Sequence, residues 1–235
     1  MKSFITFLFF AFSLITVGQT KIEGIGKFKL KKTTTAYLDT LCKEQGFVRI
    51  PIKNYEMYLG VKNDVNKLIE FYPDTTNLRD GIMYAHHCKN VRAFLMQRIT
   101  ISGIEISGTF LTFYNDTLVQ IRTDYNNKIV EAFTLKYGNP ELSKKEREVE
   151  CTLKETGVDI KLLSATYYQT WGNDNIKCSA VLGDFRDRNC EKKNISFIKI
   201  NIDEYLDKIM KCDDQEKERI RTLQEIEKKK KLDDF

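Results

Sequence analysis

Residues 91–125 contain three alternating apolar runs in immediate succession, and no other stretch constrains the fold as strongly. VRAFLMQRITI (91–101), IEISGTFLTFY (104–114) and TLVQIRTDY (117–125) are separated by Ser102-Gly103 and Asn115-Asp116. Two-residue connections of these types between β-branched and aromatic runs are the chemistry of tight hairpins, whose turns need positive φ. An antiparallel meander follows. Directly after it, residues 127–140 place Ile129, Val130, Phe133, Leu135 and Tyr137 at mostly helical spacing, and Gly138 with Pro140 closes that segment. This helix is expected to cover the sheet.

The same reading extends to both sides. Thr33 to Thr35 offer capping hydroxyls ahead of Tyr37, Leu38 and Leu41, and Gly46 offers a stop, so a helix is expected over 34–45. Residues 47–52, 56–61 and 67–73 read as short strands, although Val61, Val65, Leu68 and Ile69 also suit a helix. Residues 142–150 (LSKKEREVE) read as a charged linker, and 164–171, 175–183 and 194–203 as a second meander. Each half is thus a helix followed by strands, a weak architectural repeat without residue-level similarity. The expected fold class is α+β, with antiparallel meanders in two sheets or one and helices packed on one face.

The N-terminus sets the compartment. Lys2 precedes an apolar run over 4–17 broken only by Thr6, Ser13 and Thr16, and Thr16 and Gly18 suit the positions before a cleavage site. Residues 1–18 read as a secretory signal peptide, too short for the roughly 20 residues that span a bilayer. The first cysteine is Cys42, so no lipid-anchor cysteine follows the run, and the expectation is a secreted or periplasmic protein without a membrane anchor. The exported domain is expected over 19–212, followed by a charged tail over 213–235, helical but loosely docked, with Ile220, Leu223 and Ile226 its only regular apolar positions.

Export makes the cysteines informative. Cys42, Cys88, Cys151, Cys178, Cys190 and Cys212 form an even set with no zinc-knuckle or CxxC spacing, so disulfides without free thiols are expected. Strand and helix lengths let Cys190 reach Cys212 or Cys178, and leave Cys42 for Cys88.

Few chemistries find their residues here. The only histidines, His86 and His87, adjoin Cys88, and on a strand only His86 and Cys88 would share a side; no third ligand is placed by spacing, so no metal is expected. No GxSxG elbow, P-loop or dinucleotide fingerprint occurs, and no cofactor is expected. A formal net charge of +5 without a clustered basic stripe argues against nucleic acid. The densest recognition-type string is Asp184, Phe185, Arg186, Asp187 and Arg188, two acids and two arginines around an aromatic ring; it reads as a recognition loop or as a self-paired solvated turn. Trp171 reads as a core or edge anchor, and Lys228 to Lys231 as a solubilising tail.

The order LTFYNDTLVQI, EAFTLKYGNPE, TYYQTWGNDN and a last strand, after a GKFKL start at Gly26 to Leu30, resembles uncharacterised secreted or periplasmic proteins of the Bacteroidota type over residues 24–205. In outline it is also similar to an outer-membrane assembly lipoprotein and to β-lactamase-inhibitor folds, although the lipid-anchor cysteine of the former is missing. Within that resemblance Asp116-Thr117-Leu118 looks like an O-glycosylation sequence, and equally a hairpin turn. The expected function is a non-enzymatic exported protein that binds another envelope or extracellular protein. The alternative is an envelope hydrolase with paired carboxylates such as Asp184 and Asp187.

Overall fold

The computed structural model describes residues 21–61, 63–76, 78, 84–172 and 175–233. The expected signal peptide lies outside these residues. A two-stranded hairpin, β1 (Gly24–Ile25) and β2 (Phe28–Lys29), leads into α1 (Thr35–Gln45), β3 (Val48–Ile52), α2 (Tyr55–Val61) and β4 (Lys67–Phe71). The first meander is β5 (Val91–Ile101), β6 (Ile104–Tyr114) and β7 (Thr117–Asp124), followed by α3 (Asn127–Tyr137). The second is β8 (Glu141–Thr152), β9 (Asp159–Trp171), β10 (Ile176–Arg186) and β11 (Lys192–Ile202), followed by α4 (Asp203–Asp233). Among the described residues nine strands form one sheet in the order β3-β4-β5-β6-β7-β11-β10-β9-β8, so the α+β expectation holds. All its ladders are antiparallel except β3 with β4.

The expected hairpins are present. Ser102 and Gly103 both have positive φ, as do Asn115 and Asp116, the backbone that a two-residue primed turn requires. The second turn has a further task. Thr34 stands at the N-cap of α1 but makes no side-chain cap, so the expected threonine cap is not made. Instead the Asp116 carboxylate accepts the Thr35 N–H at 3.1 Å and the Thr35 hydroxyl. A helix terminus whose first N–H groups lack partners is thereby satisfied from 81 residues away.

Two stretches differ from their sequence reading. Residues 56–61 lie in helix α2, where Tyr58 and Val61 reach the sheet beside Phe71 and Leu95. Residues 142–150 belong to β8, the outermost strand on its side of the sheet, and are not a linker. Charged side chains suit such an edge because they hinder pairing with another chain.

Strand alternation separates two faces. Phe94, Leu111, Ile121, Ile198 and Ile200 point to the face covered by α1 and α3, together with Leu38 and Phe133. Ala93, Leu95 and Val91 point to the opposite face, where α2 and α4 pack; Ile209 of α4 lies against Val91 and Val119. The helices therefore clothe both sides of the first meander, not one face as the sequence leads one to expect. The twofold repeat survives in strand order, since β4 to β7 and β8 to β11 each run inward to the centre. It breaks at the trailing helices, which take opposite faces. Trp171, 3% exposed, is a core anchor whose indole N–H donates to the Gly138 carbonyl at 2.9 Å.

Glu70 is the most enclosed carboxylate among the described residues, at 3% exposure. It accepts Nε of Arg92 at 2.8 Å and Nε of Arg49 at 2.9 Å, and both guanidinium groups lie over the Phe94 ring. Arg92 also donates to Thr35 and Arg49 to Asp39, which ties β3, β4, β5 and α1 together. Burial acts to raise the Glu70 pKa, but hydrogen bonds from Arg92 and Arg49 outweigh it and hold the carboxyl below its ordinary value.

The disulfides are Cys88–Cys212 and Cys151–Cys190, leaving Cys42 and Cys178 as thiols. The expected pairings of Cys190 with Cys212 or Cys178, and of Cys42 with Cys88, are overturned, as is the absence of free thiols. Two features escape the length estimate: β8 returns Cys151 to the turn after β10, and α4 crosses to the first meander and brings Cys212 to Cys88. Asp213, at 8% exposure, accepts the backbone N–H groups of His87 and Cys88 and pairs with Lys217 at 2.7 Å. The 212/213 division thus falls inside a continuous helix whose next turn is docked, and residues 221–232 of that helix are exposed.

Thiol titration of the native protein should find Cys42 slowly reactive and Cys178 unreactive until unfolding, because burial raises both thiols and Cys178 is 0% exposed. Cys88→Ser/Cys212→Ser should cost about 3–5 kcal/mol, since the bridge closes a span of 124 residues. Four reactive thiols in the folded wild type would contradict this pairing.

Acid should destabilise the fold in two stages. Burial lowers the pKa of both His86 and His87, so their contribution is complete above their unfolded value near 6.5 and is lost as pH falls through the folded values. Glu70 and Asp213 are both held below their ordinary values, so their contribution disappears at lower pH, below about 4. Melting temperatures from pH 7.5 to 3.5 should decline from about pH 6.5 and more steeply below about pH 4.5. A flat profile between pH 7 and 5 would contradict the histidine assignment.

Candidate functional site

The second meander extends beyond the helices. Core packing from α1, α3 and the N-terminal hairpin reaches Cys178 and Ala180 on β10, while the other face of β8 to β10 has no described helix on it. Period-two geometry then sorts the charges of β8. Lys144, Glu146, Glu148 and Glu150 point to one side, where Lys161 of β9 meets Glu148 at 3.2 Å and Glu150 at 3.4 Å. Glu141, Lys145, Arg147 and Val149 point to the other. Among the described residues neither Lys145 nor Arg147 has an acidic partner, and the Lys145 ammonium lies 5.5 Å from the centre of the Tyr168 ring.

On that basic side the surface dips into a hollow of about 580 Å³. Thr166 on β9 and Ile195 on β11 line it, and Gly183 stands between them in the sheet register. A Cβ on Gly183 would lie 2.6 Å from the Ala165 carbonyl oxygen and 2.8 Å from the Thr166 Cα, so the β9 backbone comes closer than any other residue type permits. The next residue holds it there: the Asp184 carboxylate accepts the Ala165 N–H at 3.2 Å. Tyr168, Phe185, Ile195 and Val149 form the walls, with Lys145 and Arg147 beside them. Phe185 is 44% exposed, an aromatic ring held on a strand rather than on a loop.

The five residues expected as one recognition loop are divided. Asp184, Phe185 and Arg186 end β10 and line the hollow. Asp187 closes the following turn by accepting N–H groups of Asn189 at 3.0 Å and Glu191 at 2.9 Å. The Arg188 carbonyl accepts the Thr152 N–H, and Cys151–Cys190 pins the same turn. The Ala165 N–H holds the Asp184 carboxyl below its ordinary value, with Lys192 adding to the effect against slight desolvation. Such a group is an ionised anchor, not a proton donor at neutral pH. Lys145, Arg147 and Tyr168 are not anticipated from sequence, because a charged string between two meanders resembles a linker unless its alternation is read.

Farther along the same face, Arg122 of β7 is opposite Lys199 of β11. The Arg122 guanidinium lies 4.3 Å from the centre of the Phe197 ring and 5.8 Å from that of Tyr84, whose hydroxyl it meets at 3.2 Å. Burial lowers the Lys199 pKa, Asp203 opposes that, and Arg122 adds to it. A larger hollow of about 880 Å³ lies between the β1–β2 hairpin, α3 and the β9–β10 turn, where Glu23 is paired with Lys32. Its lining residues Lys21, Gly172 and Asn175 are next in sequence to positions 20 and 173–174, which lie outside the described residues. Cys88 is a disulfide half and His87 a backbone donor to Asp213, and no group of three potential metal ligands converges among the described residues.

No family model matches the chain, and no curated protein or solved structure matches it.

Gly183→Ala should displace β9, cost about 1–3 kcal/mol of stability and release the Ala165 amide to faster hydrogen exchange. Unchanged protection of that amide would show that the close approach does not shape the hollow.

Proposed function

We propose that this chain is an exported, non-enzymatic binding protein of the cell envelope, of the secreted Bacteroidota type, whose partner docks on the uncovered face of the second meander. The carrying observation is the hollow beside Thr166 and Ile195, walled by Tyr168 and Phe185 and flanked by Lys145 and Arg147, which have no acidic partner among the described residues. Rigid aromatic side chains beside basic groups are the composition of binding hot spots, and here strand pairing and a disulfide hold them in place. Two disulfides are consistent with an oxidising compartment, and no described helix is long and apolar enough to cross a membrane. The apolar run over residues 4–17 supplies the export signal in this reading. Nothing favours a carboxylate hydrolase at Asp184 and Asp187, since both carboxylates are occupied by backbone N–H groups and lysines.

Expressed with residues 1–18, the protein should be recovered outside the cytoplasm with that segment removed. Phe185→Ala and Tyr168→Ala should each reduce retention by isolated envelopes about tenfold, the equivalent of about 1.4 kcal/mol, with little change in melting temperature. Cytoplasmic retention, or envelope binding indifferent to both substitutions, would contradict the proposal.

A further inference from the structure

The register of the second meander turns its uncovered face into a lattice of known spacing. Arg122 and Lys199 are directly opposite each other, and Ser179 and Thr170 continue their row to Glu141 on β8. In the next row Phe197, Val181 and Tyr168 form an apolar ridge between Asp124 on β7 and Ser143 on β8. Beyond it stand Thr166 opposite Lys145, and Ser164 opposite Arg147. The face thus carries one basic pair at its centre, another at its edge, and an apolar ridge with the Phe185 hollow between them.

Like charges at directly opposed strand positions are unfavourable to one another, and neither member of the edge pair forms a salt bridge among the described residues. On β8 three of the four acids, Glu146, Glu148 and Glu150, are on the far side, and Glu141 shares the face of Lys145 and Arg147, so the basic excess of this strand lies on the uncovered face. Lys199 is three strand steps from β8 and four to six residues along β11 from the level of Lys145 and Arg147. At about 4.8 Å per strand and 3.3 Å per residue, the two basic pairs stand about 20 Å apart. An extended peptide covers that distance in about six or seven residues.

Resting on the binding-protein reading, we infer that the partner is an extended acidic segment of another protein, with carboxylates at both ends of a six- or seven-residue apolar stretch. One end meets Arg122 and Lys199, the other Lys145 and Arg147, and an apolar side chain between them enters the hollow beside Phe185. Charge complementarity selects the ends, and the ridge selects the middle.

The test uses three fluorescent peptides: Glu-Glu ends around a Thr/Leu centre, the same ends around a Gly/Ser centre, and Lys-Lys ends around the Thr/Leu centre. The first should bind about tenfold tighter than either of the others, and more weakly as salt rises. Lys145→Glu/Arg147→Glu and Lys199→Gln should each cost it about tenfold or more. Phe185→Ala should erase the preference for the Thr/Leu centre. Lys144→Glu/Lys161→Glu changes net charge as much as the β8 double variant but lies on the opposite face, and it should leave binding within about twofold. Equal weakening by this control, or displacement of the peptide by polygalacturonate with the same residue dependence, overturns the proposal. If no peptide binds while Phe185→Ala still reduces envelope retention, the acidic-peptide assignment falls and the binding-protein reading stands.

Discussion

The five-pair antiparallel ladder between β7 and β11 is the contact on which the rest of the molecule depends. Without it the chain would be two separate meanders, each with two edges and too little covering. With it, Ile121 opposite Ile200 and Thr123 opposite Ile198 continue the apolar face across the seam, so α1 and α3 enclose one shared core. The same pairing places Arg122 opposite Lys199 on the other face, because alternate residues must point oppositely. Core and basic surface are two sides of one register.

The helices then determine what is left open. A strict twofold relation between the halves would put α3 and α4 on the same face. α4 instead crosses the first meander, where Ile209 packs on Val91 and Val119, Cys212 joins Cys88, and Asp213 caps the loop that carries His87. Having covered β5 to β7, it covers nothing on β8 to β10. The uncovered face is thus a consequence of where the last helix goes, and the polar and basic composition of its outer strands is compatible with water. Local devices shape it further: Gly183 and Asp184 draw the β9 backbone inward, and Cys151–Cys190 holds the turn beyond.

Signals confined to a few residues are legible in the amino-acid order itself. Ser102-Gly103 and Asn115-Asp116 specify hairpins, Gly46 the end of α1, and the period-two runs the central strands, because each acts through φ preference or alternation within its own segment. Phe185 and Arg186 are recognisable as candidate contacts because an aromatic ring among arginines is unusual in composition alone. Residues 142–150 defeat the same reading: strand and linker share a charged composition, and only pairing with β9 decides between them.

What the sequence determined by itself is therefore the α+β class, the order of most elements, and the lack of familiar catalytic motifs. Tertiary structure alone decided the disulfide partners, the cap that Asp116 supplies to α1, the face each helix covers, and the joining of Lys145 and Arg147 to Phe185 in one surface. The physical reason is range. Turn and helix signals act within a segment, whereas Cys88 meets Cys212 across 124 residues and Thr35 meets Asp116 across 81, distances over which only the packed sheet specifies which groups come together.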